Sequence, residues 1–221
     1  AQESRGLGDV YKRQIFHLVY IGDSYPYAKQ VVYTFHMSAF LVISGYLNNV
    51  NKEIKAFGRS LLWIFIPYVC METGYVIMSA ILPVREKITE LSAGLLLHKA
   101  IIAPMGPYWY LHTLMLCNAS YYLMYRMTNK WKGITRFILL GILLYGLSEL
   151  KLLTFANAIY FLAGVAIRQS GSNIIRIFQP SLLALFPLII LCYFPENLNR
   201  GTLAGVTITY LVISLLLAIY T

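Results

Sequence analysis

Side chains able to move a proton are few in this sequence, and those set in apolar surroundings are fewer still. Of nine acidic residues, only Glu72 lies well inside an apolar run, at 60–82. An ionisable group in hydrocarbon costs roughly 2.5–3.5 kcal/mol on insertion scales, so it needs a partner, a wet cavity or a task. At helical spacing Tyr68, Glu72, Tyr75 and Ser79 share one face, a polar stripe on an otherwise apolar helix. A protonated Glu72 bonded to a neighbouring helix would explain the stripe structurally; proton handling would explain it functionally. Three of the four histidines also lie in or beside apolar runs. His36, Phe40 and Ser44 fall at i, i+4 and i+8 on one face, and Tyr108, Trp109 and His112 cluster at the start of the 107–125 run. An aromatic belt at the bilayer interface accounts for Tyr108 and Trp109 without any chemistry. His17 sits in the short run 15–21. Imidazole titrates near neutrality, which suits it to accept a proton in a wet membrane cavity, although a structural histidine at an interface is the simpler alternative.

No motif of soluble catalysis accompanies these residues. The sequence has no Gly-rich phosphate loop, no HExxH and no GxSxG; Gly45 in VISGYL has a helix-packing or helix-ending context instead. Cys70, Cys117 and Cys192 are far apart, odd in number and each set in an apolar run. They read as buried hydrophobes, and no metal site is expected.

The elements that must position these side chains follow from composition. Of 221 residues, 58% are hydrophobic and 12% charged. Soluble domains carry about twice that share of charge, so a cytosolic enzyme, a disordered tail and a disulfide scaffold are excluded. The expected fold is all-α, a polytopic transmembrane bundle. A spanning helix needs about 20 apolar residues to cross ~30 Å of hydrocarbon. Runs 31–47, 60–82, 107–125 and 202–220 meet that need, and 134–147, 152–167 and 180–194 are shorter. With 15–21 as the tail of a truncated first helix, this makes about seven full spans. The segment 91–104 is too short to span and carries His98 and Lys99; it reads as an interfacial or re-entrant helix, or as a soluble loop helix. Residues 1–14 are polar, lack a signal-peptide layout and read as a non-native or disordered tail, leaving 15–221 as a single, incomplete transmembrane domain.

The formal charge of +9 resides in short loops. Lys and Arg number three in 48–59, four in 126–136 and two in 168–179, nine in all, against six in the alternate loops. Basic residues are retained on the cytoplasmic side, which places those three loops in the cytoplasm. Anionic headgroups, rather than nucleic acid, are the expected partner of this charge.

The stretch from His17 to Tyr68 resembles the N-terminal part of the membrane-bound acyltransferase 3 family. The residues that carry the likeness are His17, FHMSAFLVISGYL at 35–47 and GRSLLWIFIPY at 58–68. GPYWYLHTLML at 106–116 and ANAIYFLAGVAIR at 156–168 resemble later helices of that family. The likeness implies a multi-pass protein of the bacterial inner membrane. It implies transfer of an acyl group, usually acetyl, from cytoplasmic acyl-CoA to a hydroxyl of a carbohydrate or lipid-linked glycan, with acyl-CoA as donor substrate and no bound cofactor. His17 would be the catalytic residue, as general base or as transient acyl carrier. Arg59 would face the phosphates of acyl-CoA, and Glu72, His36, Ser44 and Trp109 would line the substrate path. The sequence departs from the family pattern where Ser38 replaces a Pro, where Gly6 stands in place of a usual Arg, and where the LLW run after Arg59 replaces a second Arg. A secondary transporter with a proton path through Glu72 and the histidines is the alternative, but the paired broken helices expected of one are not evident.

Overall fold

The computed structural model describes residues 25–81, 88, 91–105 and 108–220. Among these residues the protein is all-helical, with no strand. The helices are α1 (Pro26–Leu47), α2 (Ile54–Ile81), α3 (Ala93–Ile101), α4 (Trp109–Met127), α5 (Gly133–Glu149), α6 (Phe155–Gln169), α7 (Ile174–Phe178), α8 (Leu185–Tyr193) and α9 (Leu203–Tyr220). The run 15–21 and the tail 1–14 lie outside the described residues.

Among the described residues, three helices are long and apolar enough to cross a membrane: α1 with 22 residues, α2 with 28 and α9 with 18. α4 has a sufficient 19 residues but is too polar to qualify by hydropathy. The reason is visible in its burial. His112, Thr113, Ser120, Tyr121, Tyr122 and Tyr125 all point into protein, so this helix is apolar neither by need nor by composition. α5 and α6, with 17 and 15 residues, reach about 25 and 23 Å. The run 180–194 is divided by a 3₁₀ turn at Leu182–Ala184 that leads into the nine-residue α8. Its Pro187 stands in the first turn, where a missing N–H costs little.

Two compact units divide the chain, one of residues 40–177 and one that pairs 25–39 with 178–220. In the larger unit α4, α5 and α6 close around Cys117, Tyr121, Tyr125, Leu140, Leu144 and Phe161. The end of α1 joins this core through glycines. A Cβ added to Gly164 would strike the Val42 carbonyl oxygen and stand 2.9 Å from Tyr46 N. One added to Gly45 would strike the Phe161 carbonyl oxygen and stand 3.1 Å from Val165 N. The backbones of α1 and α6 therefore touch, as small residues permit in membrane helix pairs, where close packing rather than water exclusion drives association. In the smaller unit Ile208 and Val212 of α9 pack with Leu198, flanked by Leu188, Leu191, Val31 and Phe35. Ser214 Oγ donates to the Gln179 carbonyl at 2.8 Å.

Hydroxyls inside the helices are satisfied locally. Thr34 Oγ1 donates to Gln30 O at 2.8 Å, Ser38 Oγ to Thr34 O at 3.2 Å and Thr209 Oγ1 to Gly205 O at 2.9 Å. A proline at position 38 would remove the N–H and crowd Thr34 O; with Ser38 there, α1 runs through without a break.

The glycine contact generates a test. Gly164→Val should lower stability by ~1–3 kcal/mol or more, because backbone cannot yield as a side chain does. Gly146→Ala, with nothing within 4 Å of the added carbon, should be neutral or slightly stabilising. Thermal unfolding in detergent measures both, and equal melting temperatures for wild type and Gly164→Val would refute the contact.

Candidate functional site

The polar stripe of α2 is where the sequence places it. Tyr68, Glu72 and Ser79 are buried, joined by Val76, while Tyr75 is half-buried and meets the Tyr108 ring edge-on at 6.1 Å. What the stripe faces is the end of α3. That helix is capped by Ser92, whose Oγ accepts from Leu95 N at 3.1 Å, and stops at Ile101, leaving carbonyls without a helical partner. Side chains from two neighbouring helices take them up. Tyr68 Oη donates to Ala100 O at 2.8 Å, and His112 Nε2 bonds Ile101 O at 2.7 Å. A carbonyl only accepts, so the imidazole proton is on Nε2, and Nδ1 carries the lone pair when the ring is neutral. Four residues beyond α3, Met105 N donates to Glu72 Oε1 at 2.6 Å.

Glu72 is thus pinned by one oxygen only. Its residue is 1% exposed, and Oε2 has no hydrogen-bond partner among the described residues. Lys99 lies within electrostatic reach of the carboxyl, and the Tyr68 and His112 rings stand 6.0 Å apart. A carboxyl, an imidazole, a phenol and an ammonium are gathered around the α3 terminus. Such a set can hold or relay a proton, or bind a hydroxyl through the open oxygen of Glu72.

The other candidate residues are placed separately. Trp109 is in the first turn of α4, three residues before His112, with its ring edge-on to Tyr110 at 6.3 Å. Ser44 is half-buried and shares a hydrogen bond with the Tyr110 hydroxyl. Phe40, on the same face of α1, also contacts the Tyr110 ring edge-on, at 6.5 Å. Arg59 is exposed near the start of α2, thirteen residues from Glu72 and so about 20 Å away along the helix. Its end of α2 is held by Phe57 stacked on Tyr122 at 3.8 Å and by Tyr122 Oη donating to Lys52 O at 2.8 Å. His36 belongs to the smaller unit, where it is exposed. His17 lies outside the described residues.

A family model described as an acyltransferase domain matches residues 15–221. The chain belongs to the acyltransferase 3 family. No curated protein and no solved structure matches it. Family membership and the apolar helices together point to a membrane acyltransferase. Within this acyltransferase domain the two segments 35–47 and 156–168 meet physically, since Gly45 lies in the first and Gly164 in the second. The sequence singled out Glu72 and noted His112, but not that both serve one short helix. Its only hint was the isolated segment 91–104, too brief to span.

Two substitutions separate packing from hydrogen bonding here. Glu72→Gln keeps an oxygen for Met105 N and should leave stability nearly unchanged. Glu72→Leu orphans a buried N–H and should cost about 1–3 kcal/mol. Thermal melts compare the two, and equal stability would remove Glu72 as the anchor of the segment after α3.

Proposed function

We propose that this protein is an integral membrane O-acyltransferase of the bacterial inner membrane, with about seven spans. It moves an acyl group, acetyl in the simplest case, from cytoplasmic acyl-CoA to a hydroxyl of a surface or exported carbohydrate. The observation that carries this reading is the acyltransferase-domain match over residues 15–221, which includes His17. Two features of the fold support it. α4 buries its polar residues, so it needs no lipid-like surface to sit inside a bundle, and the shorter α5 and α6 pack on it. The buried Glu72 with one open oxygen supplies a polar centre of the kind an intramembrane reaction requires.

In this reading His17 acts as general base. The acceptor hydroxyl oxygen attacks the thioester carbonyl while its proton passes to the imidazole. A C–O bond forms, the C–S bond breaks, and the departing thiolate recovers the proton from His17. Arg59, at the end of α2 beside the basic 48–59 loop, faces the donor's phosphates. Glu72, Ser44 and Trp109 line the route of the acyl group and its acceptor.

The test is acyl transfer from radiolabelled acetyl-CoA in membranes containing the full chain. His17→Ala should lower the rate by at least about 10²-fold at unchanged protein abundance, the scale of a lost general base. A rate within a few-fold of wild type would remove His17 from the mechanism. Arg59→Ala should raise the KM for donor by about tenfold with a smaller effect on kcat, as loss of a charge-assisted contact predicts. An unchanged KM would remove Arg59 from donor binding.

A further inference from the structure

The larger unit holds a second polar centre, at the opposite end of α4 from His112. A pocket of about 280 Å³ lies there, and its lining includes Asn48, Tyr121, Tyr125, Arg136, Arg168 and Gln169. An adjoining hollow shares Tyr125 and Arg136 and adds Arg126 and Asn129. No carboxylate lines either one among the described residues. The pocket joins the loop after α1, the end of α4, the start of α5 and the end of α6. These belong to the three loops that carry the excess of Lys and Arg, and the fold brings them to one place.

The lining is built to donate. Arg136 Nη2 gives a hydrogen bond of 2.6 Å to Tyr125 O, one of the carbonyls left over at the end of α4, and its guanidinium carbon lies 4.2 Å from the Tyr125 ring centroid. That clamp fixes the guanidinium plane and leaves Nε buried with no partner among the described residues. Tyr125 is 2% exposed, and its hydroxyl is likewise buried and unpartnered. Gln169 Nε2 donates to Tyr121 Oη at 2.5 Å, so the oxygen is occupied as an acceptor and the Tyr121 proton remains to be given. Arg168 stands with its guanidinium 5.8 Å over the Tyr46 ring.

Two guanidinium groups and two phenol hydroxyls offer more donors than the two oxygens of a carboxylate can use. The three oxygens and higher charge of a phosphoryl group match them, and guanidinium pairs with phosphate in a bidentate fork. We propose that this pocket is a phosphoryl-binding site, in which Arg136, Arg168 and the Tyr121 and Tyr125 hydroxyls hold the oxygens of a phosphate ester. The phosphate comes from a soluble nucleotide or from the headgroup of an anionic phospholipid; the chemistry of capture is the same. The site stands on its own donors and does not depend on the acyl-transfer reading.

The test uses the full chain in nanodiscs of phosphatidylcholine. One arm titrates adenosine 3′,5′-bisphosphate by calorimetry, with adenosine as the uncharged comparison. The other replaces part of the lipid with phosphatidylglycerol and follows bound lipid by native mass spectrometry. At least one probe should bind saturably. Arg168→Gln should weaken that binding by about tenfold or more, and Tyr125→Phe, which keeps the ring beneath Arg136, by about threefold or more. Lys130→Gln, an exposed cation on the same loop but outside the pocket, should leave it unchanged. Nucleotide binding alone assigns the soluble source and lipid binding alone the headgroup, and either upholds the site. Saturable binding of neither probe overturns it. So does binding that is indifferent to Arg168→Gln and Tyr125→Phe, or that falls equally with Lys130→Gln.

Discussion

The end of α3 leaves carbonyls that its own helix cannot pair, and much of this structure follows from how neighbouring helices take them up. α3 ends at Ile101, and the chain then runs four residues without helix to Met105. Tyr68 and Glu72 from α2 and His112 from α4 supply the missing partners. Three polar side chains that would be costly in lipid are thereby placed where they are needed. Their own geometry is fixed in return: one proton on His112 Nε2, one oxygen of Glu72 engaged and the other open. The same bonds that hold the break in the helix assemble the cluster around Glu72.

The glycine contact between α1 and α6 sets the second constraint. With Gly45 and Gly164 allowing backbone contact, the end of α1 is drawn against α6, and Asn48 follows, its Nδ2 donating to Asn118 Oδ1 at 2.7 Å. That approach carries the 48–51 loop to the ends of α4 and α6 and forms one wall of the arginine pocket. α4 therefore spans the distance between two unlike centres. One is a carboxyl and an imidazole beside α3, and the other is a pair of guanidinium groups with two tyrosines.

Much of this was legible in the sequence, for reasons specific to each element. The helices at 26–47, 54–81 and 203–220 are visible because lipid-facing helices must be apolar for about 20 residues. α2 starts six residues before its apolar run, since helical hydrogen bonding continues past the hydrocarbon edge through Lys55 and Arg59. The buried face of Tyr68, Glu72 and Ser79 followed from helical spacing alone. Hydropathy could not show that α4 hides its polarity inside protein or that a 3₁₀ turn precedes α8. The partner of Glu72 was illegible because it is a backbone N–H, which every residue but proline carries. The arginine pocket was half legible. The loop charges predicted one common side, but only packing brings Tyr121 and Tyr125, a helical turn apart on α4, to Arg136 and Arg168.

In the proposed reaction the donor enters from the end of α4 where the basic loops meet. Sealed membrane vesicles of opposite orientation, each given radiolabelled acetyl-CoA in the outer medium only, test this most directly. If the 48–59, 126–136 and 168–179 loops are cytoplasmic, as proposed, inside-out vesicles should incorporate label into acceptor, and right-side-out vesicles should incorporate little. Label appearing mainly in right-side-out vesicles, or in neither preparation above membranes lacking the protein, would contradict it.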